Sequence, residues 1–145
     1  MRKMLKIISL FLTLVVSGCQ CTLHTHYYND RGVCNCGHDI AYELVYENGE
    51  YISSSQSVKP NEPYYYKFIS HGENGVDFYL ESEEIKFDRI EIRADGMLQT
   101  VPNRNDDTQK FYSYDKALVN ERIYYLKITY IGEGSIQLII RDRNI

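Results

Sequence analysis

The sequence lacks the patterns of a helical or nucleic-acid-binding protein. It has no tryptophan and three prolines among 145 residues, and no window shows the sustained period of an amphipathic helix. Lys and Arg are not clustered, which argues against a surface that tracks phosphates, so we expect no nucleic-acid partner. The longest run that is almost wholly apolar, residues 7–16, is shorter than the roughly 20 residues that a membrane-spanning helix needs.

Motifs for catalysis are also missing. The serines between Ser53 and Ser57 lack the turn of a nucleophile elbow, and His71 stands beside Gly72 in a predicted turn. No pair of carboxylates is recognisable in the sequence as a general acid and a general base. We therefore expect a protein that is not an enzyme and that holds no cofactor.

The first residues have the pattern of an export signal. Arg2, Lys3 and Lys6 precede the apolar residues 7–16. The following Val16-Ser17-Gly18-Cys19 resembles the lipobox of bacterial lipoproteins. This resemblance implies that residues 1–18 are removed, that Cys19 carries diacylglycerol and an amine-linked fatty acid such as palmitate, and that lipid anchors the chain to a membrane. In that family an Asp directly after the cysteine usually retains the protein in the inner membrane. Because this chain has Gln20 there, the resemblance implies the outer membrane. The alternative is ordinary cleavage that releases a secreted product.

The exported part of the chain is acidic. The full sequence has 16 Lys and Arg and 20 Asp and Glu, and residues 1–18 hold three of the basic residues and none of the acidic ones. Thirteen basic and 20 acidic residues remain, a net charge of about -7. This sign favours a basic protein partner, although acidity alone also serves solubility.

Residues 19–39 are rich in Cys, His, Asn, Asp and Gly and predict a tether. In an oxidising compartment we expect a disulfide from Cys21 to Cys34 or Cys36, which contributes up to about 3 kcal/mol. Acylation of Cys19 leaves one of three thiols free, whereas without it Cys19 would pair with Cys36 and Cys21 with Cys34. The disfavoured alternative is a zinc or copper site with ligands among His24, His26, Cys34, Cys36 and His38.

Apolar and polar residues alternate from residue 40 onwards. In the first segment Ile40, Tyr42, Leu44 and Tyr46 share the apolar parity. Similar segments follow at 64–68, 76–80, 90–92, 124–130 and 136–140, with weaker ones at 51–58, 97–101 and 108–114. The turn at residues 132–134 predicts that the last two segments form a hairpin. Residues 40–145 thus predict one all-β domain, an antiparallel β-sandwich or jelly roll of seven or eight strands.

The second half of the chain resembles the bacterial pre-peptidase C-terminal domain. Residues 59–68 resemble its opening strand, residues 87–96 its central strand ending in Asp-Gly, and residues 123–140 its closing hairpin. The resemblance implies a non-catalytic sandwich that binds protein or polysaccharide and sometimes calcium. The acidic cluster of that family is reduced here to Glu83, Glu84 and Asp88. A second candidate calcium loop, residues 103–107, lacks the regular Asp spacing of a strong site.

Two tyrosines are candidate partner-binding residues. Tyr65 and Tyr125 take the polar parity of their strands, so we expect both to lie outside on an aromatic surface. Our leading hypothesis is a lipid-anchored envelope protein whose non-catalytic sandwich binds a protein or glycan. The alternative is a periplasmic immunity or inhibitor protein that neutralises a basic toxin or lysozyme.

The lipid anchor gives the first testable prediction. Protein from intact cells should yield an N-terminal peptide that begins at Cys19 and carries acyl mass, because acylation follows from the lipobox. Mass spectrometry of that peptide checks the modification, and a detergent-phase split checks its effect. An unacylated peptide from a protein that stays in the aqueous phase would contradict the prediction.

Overall fold

The computed structural model of the chain describes residues 28–34, 37–104 and 107–143. These residues form two packed sheets, without any helix long and apolar enough to cross a membrane. The predicted all-β sandwich is confirmed. The strands are β1 (Tyr42–Glu43), β2 (Val45–Glu47), β3 (Glu50–Ile52), β4 (Gln56–Val58), β5 (Tyr64–Ile69), β6 (Val76–Glu81), β7 (Lys86–Ala94), β8 (Met97–Val101), β9 (Phe111–Tyr114), β10 (Ile123–Ile131) and β11 (Gly134–Asp142).

The first sheet has the strand order β1-β5-β10-β7-β8, and the second has β2-β3-β11-β6-β9, with β4 also paired to β11. All pairs are antiparallel except β1 with β5. The described residues contain more strands than the seven or eight expected. All nine alternating segments form strands, including the three weaker ones, and the segments at 40–46 and 51–58 are each divided in two.

The predicted hairpin of the last two strands is wrong. β10 pairs with β5 and β7 in the first sheet, whereas β11 pairs with β3, β4 and β6 in the second. The turn therefore carries the chain from one sheet to the other. Gly132 and Gly134 adopt φ angles of 97° and 152° there, and a Cβ on Gly134 would lie 3.2 Å from the side chain of Ile85. Glycine permits both this backbone and this close packing.

The first predicted strand also crosses between the sheets. β1 ends at Glu43 in the first sheet and β2 begins at Val45 in the second, so Leu44 is the crossing point. Leu44 is buried, and its N–H donates to the carbonyl of Lys67 at 2.9 Å. Of the four residues expected to point inward, only Leu44 does so. The others do not, because the segment is divided between two sheets and its residues no longer share one face of one strand. The other three residues are exposed, namely Ile40, Tyr42 and Tyr46.

The core lies between the inner faces of the sheets, as the alternation predicts. Its side chains include Phe68, Ile90, Ile92 and Leu126 from the first sheet and Phe78, Leu138 and Ile140 from the second. Tyrosine also enters this core, since Tyr66 and Tyr130 are fully buried. Their hydroxyl groups hydrogen-bond each other at 2.6 Å, which satisfies both polar ends inside an apolar layer. Burial raises the pKa of both phenols.

Part of the predicted tether packs on the outer face of the first sheet. We call residues 28–34 and 37–40 the covering segment. Antiparallel bridges join Tyr28 to Cys34 and Val33 to Asp39 within it. Ion pairs from Asp30 to Arg93 and from Asp39 to Lys67 fasten it to the sheet. These residues are thus folded against the sandwich.

The covering segment gives a stability prediction at Gly32. Gly32 adopts φ 75°, and a Cβ placed there would lie 2.7 Å from the Cβ of Tyr65. The variant Gly32→Ala should therefore lose about 1 kcal/mol for the backbone and about 1–3 kcal/mol more for the clash. Urea denaturation measures this loss. The matched control is Gly96→Ala, because Gly96 has the same φ with no atom within 4 Å. Equal losses in the two variants would contradict the packing described.

Candidate functional site

Four large apolar side chains are exposed close together at one end of the sandwich. Val45 is 64% exposed, Tyr46 46%, Ile69 49% and Ile123 49%. The first three line a cleft of about 460 Å³, and Ile69 and Ile123 line an adjoining cleft of about 120 Å³. Glu43 lines both clefts. We call Val45, Tyr46, Ile69 and Ile123 the apolar end surface.

Strand pairing and the crossing at Leu44 bring these residues together. Ile123, the first residue of β10, lies opposite Ile69, the last residue of β5. Both side chains lie on the same face of the first sheet as Lys67 and Tyr125, and this is its outer face. Because the chain crosses to the second sheet at Leu44, β2 begins directly beside the end of β5. The surface is therefore assembled from three strands distant in sequence.

A hydrogen-bonded cluster supports the larger cleft. Tyr51 and His71 line it, and Glu73 lies buried behind them. The Tyr51 hydroxyl donates to the Glu73 carboxylate, and its oxygen lies 2.7 Å from Nδ1 of His71. Ser70 Oγ donates to the other carboxylate oxygen at 2.7 Å.

The cluster changes the acidity of its own members. Burial acts to raise the pKa of Glu73, but hydrogen bonds from Tyr51, Ser70 and backbone N–H groups outweigh it and lower this pKa from 4.5. Burial and the adjacent carboxylate raise the pKa of Tyr51. At neutral pH the cluster therefore holds a carboxylate and a neutral phenol.

Aromatic packing fixes the wall of the same cleft. The ring of Tyr46 stacks on His71 with centroids 4.0 Å apart and planes 27° apart, and it contacts Tyr51 at 4.9 Å. The described residues that line this cleft include no Ser, Thr or Cys beside the imidazole. The arrangement offers a rigid aromatic and aliphatic contact surface, because each ring is held by a neighbour.

The two predicted partner-binding tyrosines have different surroundings. Tyr65 is only 7% exposed because Gly32 packs on its ring, so the expectation of an exposed Tyr65 is wrong. Tyr125 is half-buried, with the guanidinium of Arg31 5.8 Å from its ring centroid. It lines the smaller cleft beside Ile69 and Ile123. Only Tyr125 of this pair therefore borders the apolar end surface.

Most of the predicted cysteine and histidine cluster falls outside the described residues. This applies to Cys19, Cys21, His24, His26 and Cys36. Cys34 is buried and disulfide-bonded, and its pairing stays a prediction. Nδ1 of His38 hydrogen-bonds the hydroxyl of Tyr28 at 2.8 Å. Within the part of the chain that the structure describes, no three side chains of metal-binding type come together.

The acidic residues considered for calcium have different surroundings. Glu83 and Glu84 line a cleft of about 250 Å³ together with Gly134, whereas Asp88 accepts a hydrogen bond from Thr129 at 3.0 Å. In the other candidate loop, residues 105 and 106 lie outside the described residues, and Asn103 forms a bridge with Tyr112. Within the described residues these acids form no group of three that could hold a cation.

Sequence reasoning missed the apolar end surface. One signal for it was available, because Ile69 and Ile123 are apolar residues on the polar parity of their strands. Such residues indicate either a covered face or a contact surface. Val45 and Tyr46 carried no such signal. The chain crosses to the second sheet at Leu44, so the alternation before this residue does not predict on which face the following residues lie.

Comparison with known proteins identifies no family. No family model matches the chain, and no curated protein matches it. Two similar solved structures are PliG of Salmonella Typhimurium, a periplasmic inhibitor of g-type lysozyme, and a mutant of the corresponding Escherichia coli protein. The first is 12% identical with a TM-score of 0.45, and the second is 14% identical with a TM-score of 0.43. Each alignment covers 68% of this chain and 94% of the other.

The buried carboxylate predicts a pH-dependent loss of stability. Because the pKa of Glu73 is lowered on folding, its contribution is present above 4.5 and is lost as the pH falls through the folded pKa. The variant Glu73→Gln should lose about 1–3 kcal/mol at about pH 7, since a carboxylate that accepts several hydrogen bonds is removed. Urea denaturation at several pH values should show this difference shrinking in acid.

The matched control is Glu133→Gln, because Glu133 is exposed. Its stability should follow that of the unaltered chain at every pH. A difference for Glu73→Gln that stays constant from neutral to acidic pH would mean that Glu73 is not held as a stabilised carboxylate.

Proposed function

We propose that the chain is an exported, lipid-anchored protein that binds and blocks a basic protein through the apolar end surface. The observation that carries this proposal is the grouping of four exposed apolar side chains, each about half exposed or more, around Glu43. The location in the cell envelope rests on the export signal and the lipobox resemblance of Cys19.

Exposure of this kind favours a contact with another protein. Large apolar side chains that lie together on a soluble domain are typical of interaction surfaces. Here the ring of Tyr46 is stacked on His71, so this side chain would lose little freedom on binding. An aromatic anchor with aliphatic neighbours is the composition of an interface core.

Charge indicates the kind of protein that would bind. The exported part has a net charge of about -7, and Glu43 and Glu47 flank Val45 and Tyr46 on the exposed strands. An apolar centre with acidic neighbours complements a basic surface and would speed its capture. Basic enzymes that degrade the cell wall, such as lysozymes, and basic toxins fit this description.

Blocking of a basic protein through the apolar end surface gives a prediction that compares the two ends of β10. Ile123→Asp should weaken binding at least about tenfold, because it puts a charge into the apolar contact. Ile131→Asp is the matched control, since Ile131 is 42% exposed at the opposite end of β10. The measurement is the rate at which g-type lysozyme and hen egg-white lysozyme clear a peptidoglycan suspension with purified exported protein added.

Slower clearing that persists in Ile131→Asp and is lost in Ile123→Asp is the expected result. Full activity of both lysozymes at every concentration of the protein would overturn a role against lysozymes. Equal inhibition by both variants would overturn the assignment to the apolar end surface.

A further inference from the structure

A second cleft in this acidic protein is lined by arginine. Arg31, Arg93 and Arg122 line a cleft of about 520 Å³ together with Asp95, Ile123 and Tyr125. Arg31 comes from the covering segment, whereas Arg93 and Arg122 come from β7 and from the residue before β10. The cleft therefore exists only where the covering segment meets the sheet.

A tight turn fixes the position of Arg31. The side-chain oxygen of Asn29 accepts the backbone N–H groups of Arg31 at 2.9 Å and Val33 at 3.2 Å. The N–H of Gly32 donates to the carbonyl of Asn29 at 3.0 Å. Asn favours such turns because its amide oxygen imitates a backbone acceptor. The turn directs the Arg31 guanidinium over the ring of Tyr125.

The charges in the cleft do not cancel. Arg93 pairs with Asp30, and Arg122 lies 3.8 Å from Asp95. Among the described residues, the guanidinium of Arg31 makes no ion pair and lies over the ring of Tyr125. Three guanidinium groups face two carboxylates, so one positive charge remains in a chain that is otherwise acidic.

We propose that this arginine cleft binds a carboxylate. A guanidinium group presents parallel N–H donors that match the two oxygens of a carboxylate. One surplus positive charge suits a singly charged anion, because Asp30 and Asp95 would repel the second charge of a phosphate. The ring of Tyr125 and the side chain of Ile123 provide an apolar wall for the body of the ligand. Ile123 and Tyr125 line both this cleft and the smaller cleft of the apolar end surface, but the carboxylate proposal does not rest on the function proposed for that surface.

Saturation-transfer NMR with benzoate tests the carboxylate site on purified exported protein. Benzamide, which has the same shape without the charge, is the ligand control. Benzoate should bind, and Arg31→Gln and Arg122→Gln should each weaken it about three- to tenfold by removing a charged donor. The matched control is Arg141→Gln, since Arg141 also pairs with an acid, Glu50, and lies over a tyrosine ring, Tyr79.

A tripeptide with a free carboxyl end and its amidated form distinguish a peptide terminus from a small free acid as the source of the carboxylate. Binding of either carboxylate that is lost in the two cleft variants and kept in Arg141→Gln supports the proposal. Equal binding of benzamide, equal loss in Arg141→Gln, or no binding of either carboxylate overturns it. Displacement of benzoate by inorganic sulfate, which is doubly charged at neutral pH, at equal concentration would overturn the choice of a singly charged anion.

Discussion

The turn at Gly132 joins the central strands of both sheets, and the rest of the sandwich depends on that connection. β10 is bordered by β5 and β7, and β11 by β6 on one side and by β3 and β4 on the other. A link of only two residues, Gly132 and Glu133, between two central strands holds the inner faces at packing distance. Gly134 allows the link to pass close to Ile85. Burial of Leu126 against the opposite sheet follows from this geometry, as does the enclosure of the hydroxyl pair of Tyr66 and Tyr130.

The outer face of the first sheet is divided by the covering segment. Residues 28–34 and 37–40 bury Tyr65 and form ion pairs with Lys67 and Arg93. Ile69 and Ile123, on the same face, remain half exposed. One face thus presents a covered aromatic region, an arginine cleft at the edge of the cover and an apolar surface beyond it. These three environments differ because the covering segment buries Tyr65, contributes Arg31 to the cleft and leaves Ile69 and Ile123 half exposed.

Two surfaces with different chemistry lie next to each other through Ile123 and Tyr125. The apolar end surface would gain free energy by excluding water from aliphatic and aromatic groups. The arginine cleft would gain it from directional hydrogen bonds to an anion. Rigidity serves both, since Tyr46 is stacked on His71 and Arg31 is positioned by the Asn29 turn.

Local pattern was enough to predict the all-β class and the alternation that buries Phe68 and Leu126. The export signal and the lipobox resemblance at Cys19 also rest on local pattern, and they stay predictions. Such features follow from a period of two residues or from a short linear motif, and neither depends on distant parts of the chain. Which strands pair was decided by long-range packing. Alternation is the same for a hairpin and for a link between two sheets, so residues 132–134 were compatible with both. The burial of Tyr65, the crossing at Leu44 and the meeting of Ile69 with Ile123 depend on contacts between distant segments, and sequence spacing carries no information about those contacts.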